Sequence, residues 1–300
     1  MPAVSTPVER PLVNPYIAVL LAVVAVSFAS IFIRLASAPP LVIAFYRLAF
    51  TFLILTPLAL QNSARAELGR IRRRDLLLAA CSGIFLALHF AVWITSLAYT
   101  SVASSTVLVT MQPLFVVAGS HLFLQERISR RAFLGAGLAL AGSVLIGISD
   151  FRIGGLALWG DILAFSGAAF VAGYVLIGRS LRNRLSVTTY TFLVYGVASL
   201  CLLVFNLAGS QRFYPYPATD WVWFLALAVV PTLLGHNVFN WALRYVKAAV
   251  VSVSVLGEPV GASVLAYLIF HEVPTVLQLA GGGVILAGLY IFLVSARQQG

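Results

Sequence analysis

Residues 111–126 have the sequence MQPLFVVAGSHLFLQE, and residues 257–272 have the sequence GEPVGASVLAYLIFHE. Each stretch is apolar, carries a proline near its start, closes with a glutamate and precedes a glycine-rich apolar segment. Pro113 and Pro259 are 146 positions apart, and the two closing glutamates, Glu126 and Glu272, share that offset. The chain therefore contains an internal repeat whose copies are separated by about half its length.

The repeat extends beyond these two stretches, because other matching residues have the same spacing. Pairs at the 146-residue offset are Gly135 with Gly281, Gly142 with Gly288 and Tyr99 with Tyr245, and the pair His89 with His236 differs from it by one residue.

The composition predicts a membrane protein. Of the 300 residues, 61% are hydrophobic and 9% are charged, against about 25% charged in soluble domains. Lipid cannot satisfy open backbone groups, and the apolar runs lack the alternation of a β-barrel, so we expect an all-α integral membrane protein with ten transmembrane helices. The ten runs, called spans 1 to 10 in chain order, cover residues 16–37, 41–60, 76–98, 102–124, 132–149, 159–179, 188–208, 221–244, 248–270 and 274–295.

The span count sets the relation between the two halves. Five spans fall in each copy of the repeat, and an odd number turns the second copy upside down in the membrane. Inverted repeats around a central cavity are typical of transporters that work by alternating access. We therefore expect a disordered cytoplasmic tail over 1–15, a first five-helix repeat over 16–149 and an inverted second repeat over 150–300.

The basic residues predict the orientation. With a cytoplasmic N-terminus, fifteen arginines and lysines fall in inner segments, while the outer loops hold only Arg152 and Arg212. The positive-inside rule then places both termini in the cytoplasm. The formal net charge of +10 is spread over short gaps between spans, so it indicates membrane orientation and no nucleic-acid partner.

With its paired proline and glutamate segments, ten spans and five-plus-five repeat, the chain resembles the drug/metabolite transporter superfamily, in particular its EamA-type exporters. The resemblance covers residues 16–295, and within the group the chain is most similar to the YddG-type amino acid exporters. It implies a secondary transporter that exports small organic solutes, aromatic or neutral amino acids, across a bacterial inner membrane. The alternatives are export of drugs or other metabolites by the same fold, or a membrane-embedded enzyme or lipid-handling protein.

Polar and aromatic residues in spans 3 and 8 are candidates for the substrate site. His89 and Trp93 recur at helical spacing in span 3, and His236 and Asn240 do so in span 8, where Trp241 adjoins them. Residues four apart share a helix face, so two walls around a cavity are predicted. The alternative is that each histidine satisfies the backbone of a neighbouring helix.

Spans 4 and 9 contribute a second pair of candidates. Gln112 and Glu258 occupy equivalent places in the repeat, each directly before a proline. Pro113 and Pro259 should kink their helices, as gating elements or only as features that shape the bundle. Glu258 is the one carboxylate well inside a span. It could bind a substrate ammonium, relay a proton or stay neutral as a hydrogen-bond donor.

Other in-span residues have weaker signals. Tyr46 with Arg47 in span 2 and Tyr174 in span 6 add polar or aromatic groups, and Tyr99 lies at a turn. We include Tyr46 and Tyr99 in the predicted substrate site, although such aromatics often only anchor helices at the membrane interface.

Spans 5 and 10 are rich in glycine, which permits close helix approach. They predict either a scaffold or the surface of a weak homodimer, so the protein is expected to be a monomer or weak homodimer. The expected partners are a small-molecule substrate and the lipid bilayer. No zinc-spaced motif, phosphate-binding loop or serine elbow occurs in the sequence, so we expect no cofactor, no metal and no catalytic residue.

Overall fold

The computed structural model describes residues 11, 13–100, 102–126, 129–148, 155–271, 273 and 275–297. Within these ranges the chain forms helices and turns, without a strand. Most of the predicted tail over 1–15 lies outside the described residues, as do Arg152 and Glu272.

The first half contains five long helices. The first three are α1 (Pro15–Leu35), α2 (Pro40–Ala59) and α3 (Arg73–Ser96). Helix α4 consists of Val102–Val109 and Gln112–Gly119, continued by the wide turn Ser120–Leu124, and α5 covers Arg130–Ile148. A short helix, Asn62–Leu68, lies between α2 and α3.

The second half repeats this order. Its first two helices are α6 (Gly155–Arg182) and α7 (Val187–Ala208). Helix α8 consists of Ala218–Leu227, Ala228–His236 and Asn237–Ala242, and α9 consists of Ala248–Ser254, Val255–Gly257 and Glu258–Phe270. The last helix, α10, covers Val276–Arg297.

Local sequence explains several helix starts. The Asn14 side chain accepts the N–H of Tyr16 at 3.0 Å, and Pro15 occupies the first helical position, where its missing N–H has no cost. Ser186 caps α7 in the same way through the N–H of Thr189. Large apolar side chains point outward along the bundle, for example Leu134 at 69% and Tyr290 at 72% exposure, as expected for helices surrounded by lipid.

Among the described residues, eight helices are long and apolar enough to cross a membrane, namely α1 to α4 and α6 to α9. Helix α10 contains a shorter apolar stretch, Leu279–Ser295, and α5 has 19 residues. The multi-pass membrane architecture is therefore confirmed, whereas the count of ten crossings stays a prediction.

The helix contacts are symmetric under exchange of the halves. Equivalent helices pack on each other in the pairs α2 with α7, α4 with α9 and α5 with α10. Helix α3 packs on α6, and its counterpart α8 packs on α1. The exact division at 149/150 and the opposite membrane orientation of the halves stay predictions, and residues 149–154 lie outside the described residues.

Equivalent carboxylates hold the two ends of the bundle. Asp75, the third residue of α3, forms an ion pair with Arg184, which follows α6, with 2.7 Å between Oδ1 and Nη1. Asp220, the third residue of α8, accepts the N–H and the hydroxyl of Ser37, which follows α1, at 3.1 and 2.9 Å. Because each interaction joins equivalent elements of the two halves, the repeat is visible in side-chain contacts as well as in sequence.

A nine-residue segment of α8, Ala228–His236, is wound in wide π-helical turns around Pro231. It explains why the histidines depart from the common offset. Asp75 and Asp220 are 145 positions apart, but His89 and His236 are 147 apart. Wide turns hold more residues than the 3.6 of an α-helical turn, so the segment takes up the extra residues before His236.

Helices α5 and α10 are in close contact through their glycines. A Cβ added to Gly135 would lie 2.6 Å from the backbone N of Phe292, and one added to Gly288 would lie 2.4 Å from that of Ala139. The scaffold interpretation therefore accounts for this glycine face, which is occupied within one chain. A homodimer through spans 5 and 10 stays a prediction. Gly137 and Gly283 lie on open faces that could serve such a contact.

Candidate functional site

A cavity lies in the middle of the bundle, between α1, α3, α4, α6, α8 and α9. It encloses about 610 Å³ between the atoms that line it, including open space at its mouth. Apolar side chains such as Val26, Val171 and Phe239 form much of the wall. Most small-molecule sites have this character, with a few polar groups set in an apolar pocket.

Six of the residues predicted for the substrate site line this cavity. They are His89, Trp93, Gln112, His236, Asn240 and Glu258. They come from four helices, and each helix of the first half is matched by its counterpart in the second half. The two walls predicted from the repeat thus lie around one space, while the binding role of each residue stays a prediction.

His89 connects two helices at the cavity wall. Its Nδ1 lies 3.0 Å from the carbonyl oxygen of Gly167 in α6. A carbonyl can only accept, so Nδ1 carries the proton and Nε2 of the neutral ring is an acceptor. The ring stacks on Trp93 with 5.8 Å between centroids. His89 therefore satisfies a neighbouring backbone group and also presents an aromatic face to the cavity.

Asn240 is fixed by two tyrosines. Its Nδ2 donates to the hydroxyl of Tyr174 at 2.5 Å and to that of Tyr195 at 3.3 Å. Its Oδ1 is buried and has no hydrogen-bond partner among the described residues. Tyr174 also lines the cavity. The sequence indicated it only as an aromatic within span 6, because the direction of a lone tyrosine depends on neighbouring helices.

Gln112 and Glu258 each begin a helical segment inside the bundle. Helix N-termini favour negative charge, which suits Glu258 in particular. The Glu258 side chain is 7% exposed, and no hydrogen bond or ion pair of its carboxylate is found in the described part of the chain. A deep carboxylate that faces a cavity without a protein partner is available to a solute.

The prolines following these residues interrupt both helices. Pro113 follows a break in α4 at Thr110 and Met111, and Pro259 follows the 3₁₀ turn Val255–Gly257 in α9. Both helices are therefore irregular next to these prolines. Gln112 and Glu258 line the cavity at the breaks, and the kinking and gating roles of the prolines stay predictions.

Three predicted site residues lie outside the lining of this cavity. The Tyr46 hydroxyl donates to the carbonyl of Phe213 at 2.8 Å, and its ring stacks on Phe224. Tyr99 lies at the turn after α3 and is 40% exposed. Trp241 packs on Tyr245, with 4.9 Å between centroids. The sequence placed these three aromatics within or beside spans. In the structure, their side chains lie away from the lining of the cavity.

Arg47 is another buried charge, in α2. Its side chain is fully buried, and its Nε donates to Thr232 Oγ1 at 2.8 Å. The sequence showed it only as a polar neighbour of Tyr46. Successive residues of a helix point about 100° apart, so Arg47 faces inward where Tyr46 does not. Among the described residues, no group of three or more metal-binding side chains occurs.

The bundle of apolar helices around a partly polar cavity has the architecture of a membrane transporter. Residues 14–148 and 158–294 each match the EamA-like transporter family. The chain belongs to this family, as the paired proline and glutamate segments predicted, and two copies of the family unit account for the repeat.

Relatives agree with this assignment. An uncharacterized transporter of Archaeoglobus fulgidus is 30% identical over 91% of this chain and 94% of its own length. The pseudopaline exporter CntI of Pseudomonas aeruginosa is 28% identical over 84% of this chain and 85% of its own. A protein of known crystal structure superposes with a TM-score of 0.78 at 15% identity, covering 94% of this chain and 98% of that one. The structural likeness shows the fold, and the named relatives indicate a transporter rather than an enzyme.

Proposed function

We propose that the protein is a secondary transporter that exports small organic solutes, aromatic or neutral amino acids, by alternating access. The observation that carries the proposal is the Glu258 carboxylate, which faces the cavity and has no hydrogen-bond or ion-pair partner in the part of the chain that the structure describes. A charge at this depth costs at least a few kcal/mol unless a ligand or water compensates it. In the proposal, Glu258 receives the ammonium group of the solute.

The cavity wall supports a solute with an apolar or aromatic body. Trp93, His89 and Tyr174 present rings to the space, and aromatic faces attract both apolar groups and cations. Gln112 adds a neutral polar group from the equivalent place in the first half. Together these side chains suit a molecule with one charged polar end and one apolar end.

The membrane setting completes the proposal. The two halves are inverted repeats, the membrane is the bacterial inner membrane, and both termini are cytoplasmic, as the distribution of arginine predicts. Export then means movement from the arginine-rich side to the other side. The named exporter among the relatives supports this direction.

A second candidate function is export of a different cargo by the same site. The relative named as a pseudopaline exporter supports a metabolite other than a common amino acid. An organic cation is the other alternative, since one carboxylate among aromatic rings suits it as well.

Purified protein in liposomes tests both candidates. Counterflow of a panel of labelled amino acids, amines and other metabolites is measured for the wild type and for Glu258→Gln. We expect the variant to weaken affinity for ammonium-bearing solutes about tenfold or more at every pH. Glu67→Gln removes a carboxylate that instead binds Ser186 and Thr189, so it should leave solute affinity unchanged.

The other outcomes are distinct. If Glu258→Gln abolishes only the pH dependence and keeps solute exchange, Glu258 relays protons and does not hold the ammonium. If the variant is silent, Glu258 is a structural hydrogen-bonding group. A wild-type protein that moves no solute of the panel contradicts the transport proposal itself.

A further inference from the structure

Arg47 links three helices at the level of the cavity. From α2, its Nε donates to Thr232 Oγ1 of α8 at 2.8 Å. Its guanidinium carbon lies 4.2 Å from the ring centroid of Phe90 in α3. One face of the guanidinium is therefore covered by an aromatic ring, and one of its five N–H donors is used.

The remaining four N–H groups belong to Nη1 and Nη2. Both nitrogens are buried, and neither has a hydrogen-bond partner among the described residues. The ring stabilises the desolvated cation, but by less than the free energy that burying an ion costs. The paired Nη groups form the fork that binds a carboxylate through two parallel hydrogen bonds. The side chain thus has the geometry of an anion receptor.

Arg47 lies directly behind the cavity wall. The Phe90 ring that it covers is 4.8 Å from the ring of His89 and 5.6 Å from that of His236, and both histidines line the cavity together with Glu258. Yet no ion pair joins Arg47 to Glu258 in the described ranges. The two charges therefore lie near the same space without neutralising each other by direct contact.

The repeat makes this pair of charges notable. The residue 146 positions after Arg47 is Leu193, and the residue 146 positions before Glu258 is Gln112. Arg47 and Glu258 thus each lack a charged counterpart at the matching position of the other half, and the two charges have opposite signs.

We propose that Arg47 receives the carboxylate of a zwitterionic solute whose ammonium group is held by Glu258. This inference rests on the proposed transport function and names the residue that selects for a solute with both charges. Arg47 is fully buried behind the cavity lining. The carboxylate therefore reaches the guanidinium by displacing His236, which lines the cavity and whose ring lies 5.6 Å from that of Phe90. With solute bound, the guanidinium of Arg47 and the carboxylate of Glu258 each have a partner of opposite charge.

Three probes with one phenyl body separate the two charges. L-phenylalanine carries both groups, phenethylamine lacks the carboxylate, and 3-phenylpropionate lacks the ammonium. Binding of each is measured by calorimetry on purified protein, and transport by counterflow. We expect the wild type to favour phenylalanine over phenethylamine at least tenfold. Arg47→Gln should reduce that preference about tenfold while leaving phenethylamine affinity unchanged, because only the carboxylate has lost its partner.

Two further variants keep the test decisive. Arg47→Lys retains the charge without the fork and should give an intermediate preference, so it serves if Arg47→Gln does not fold. Arg184→Gln removes an arginine that binds Asp75 at the end of the bundle and should leave the preference unchanged. Monodispersity and melting temperature are recorded for every variant.

A purely structural role for Arg47 gives a different result. Loss of affinity for all the probes in equal measure, or an unchanged preference in a well-folded Arg47→Gln or Arg47→Lys variant, overturns the inference. So does a wild-type protein that moves panel solutes but binds phenethylamine as well as phenylalanine, or binds none of the probes. In those cases the proposed transport function stands, whereas it fails only if the wild type moves no solute at all.

Discussion

Oε1 of Glu126 lies 2.8 Å from Nε of Arg179 in an ion pair, and Oε2 of the same carboxylate accepts the N–H of Ala248 at 3.2 Å. Arg179 also donates from Nη1 to the carbonyl of Leu243. One carboxylate after α4 thereby joins the end of α6 to the start of α9, and Arg179 adds the residue that follows α8. These four helices line the cavity, so the ion pair holds them together at the arginine-rich end.

We predict that Glu126→Gln loosens this end of the bundle. A partly buried hydrogen-bonded charge pair contributes about 1–3 kcal/mol, so the melting temperature should fall. A cysteine replacing Val255 in the cavity wall, in a chain without Cys81 and Cys201, should react about tenfold faster with a thiol reagent. Asp75→Asn breaks another ion pair at the same end and should destabilise without faster labelling. Equal labelling rates in the two variants would show that Glu126 does not close the cavity.

A second prediction concerns membrane orientation. In a chain without its own cysteines, Arg72→Cys and Tyr214→Cys place single thiols in the connections before α3 and before α8, and both positions are exposed. The cytoplasmic N-terminus predicts that an impermeant thiol reagent labels the Tyr214 site in intact cells. The Arg72 site should be labelled only after the cells are opened. The reverse pattern would reverse the direction of transport.

A third prediction concerns Asn240. Asn240→Ala removes the bonds to Tyr174 and Tyr195, so we expect transport to fall about tenfold or more while monodispersity stays near normal. Trp93→Ala should act in the same direction by opening the aromatic wall. The control is Asn183→Ala, at an exposed turn, which should transport normally. Normal transport by well-folded Asn240→Ala and Trp93→Ala variants would mean that these faces only pack.

The helices could be predicted from sequence because their apolar runs are continuous. The run 248–270 gave the bounds of α9 as found, and 188–208 gave those of α7 to within one residue. The direction in which each side chain points was harder to predict from the sequence. Tyr46 and Arg47 are neighbours, yet one joins an aromatic group outside the cavity and the other lies buried beside it.

The repeat supplied what single helices could not. It matched His89 with His236 and Gln112 with Glu258, and all four line the cavity. Residues without a repeat counterpart, such as Arg47, had no such signal. The repeat also could not predict the π-helical turns of Ala228–His236. In the sequence, such turns leave only a change in the spacing between repeat partners.

The last prediction uses the glycines of α5 and α10. A Cβ added to Gly142 would lie 2.6 Å from the carbonyl oxygen of Gly281, so Gly142→Ala should force the helices apart and lower the melting temperature by several degrees. Gly137 and Gly283 have no atom within 4 Å of an added Cβ. Alanine at either position should be neutral or slightly stabilising, since glycine inside a helix costs about 0.5–1 kcal/mol relative to alanine. Thermal unfolding of the three variants in detergent makes the comparison, and light scattering on Gly137→Leu and Gly283→Leu reports the oligomeric state. A melting temperature of the Gly142→Ala variant equal to that of the wild type would contradict the close packing of α5 on α10. If the leucine variants convert a dimer to a monomer, the homodimer uses the open glycine face.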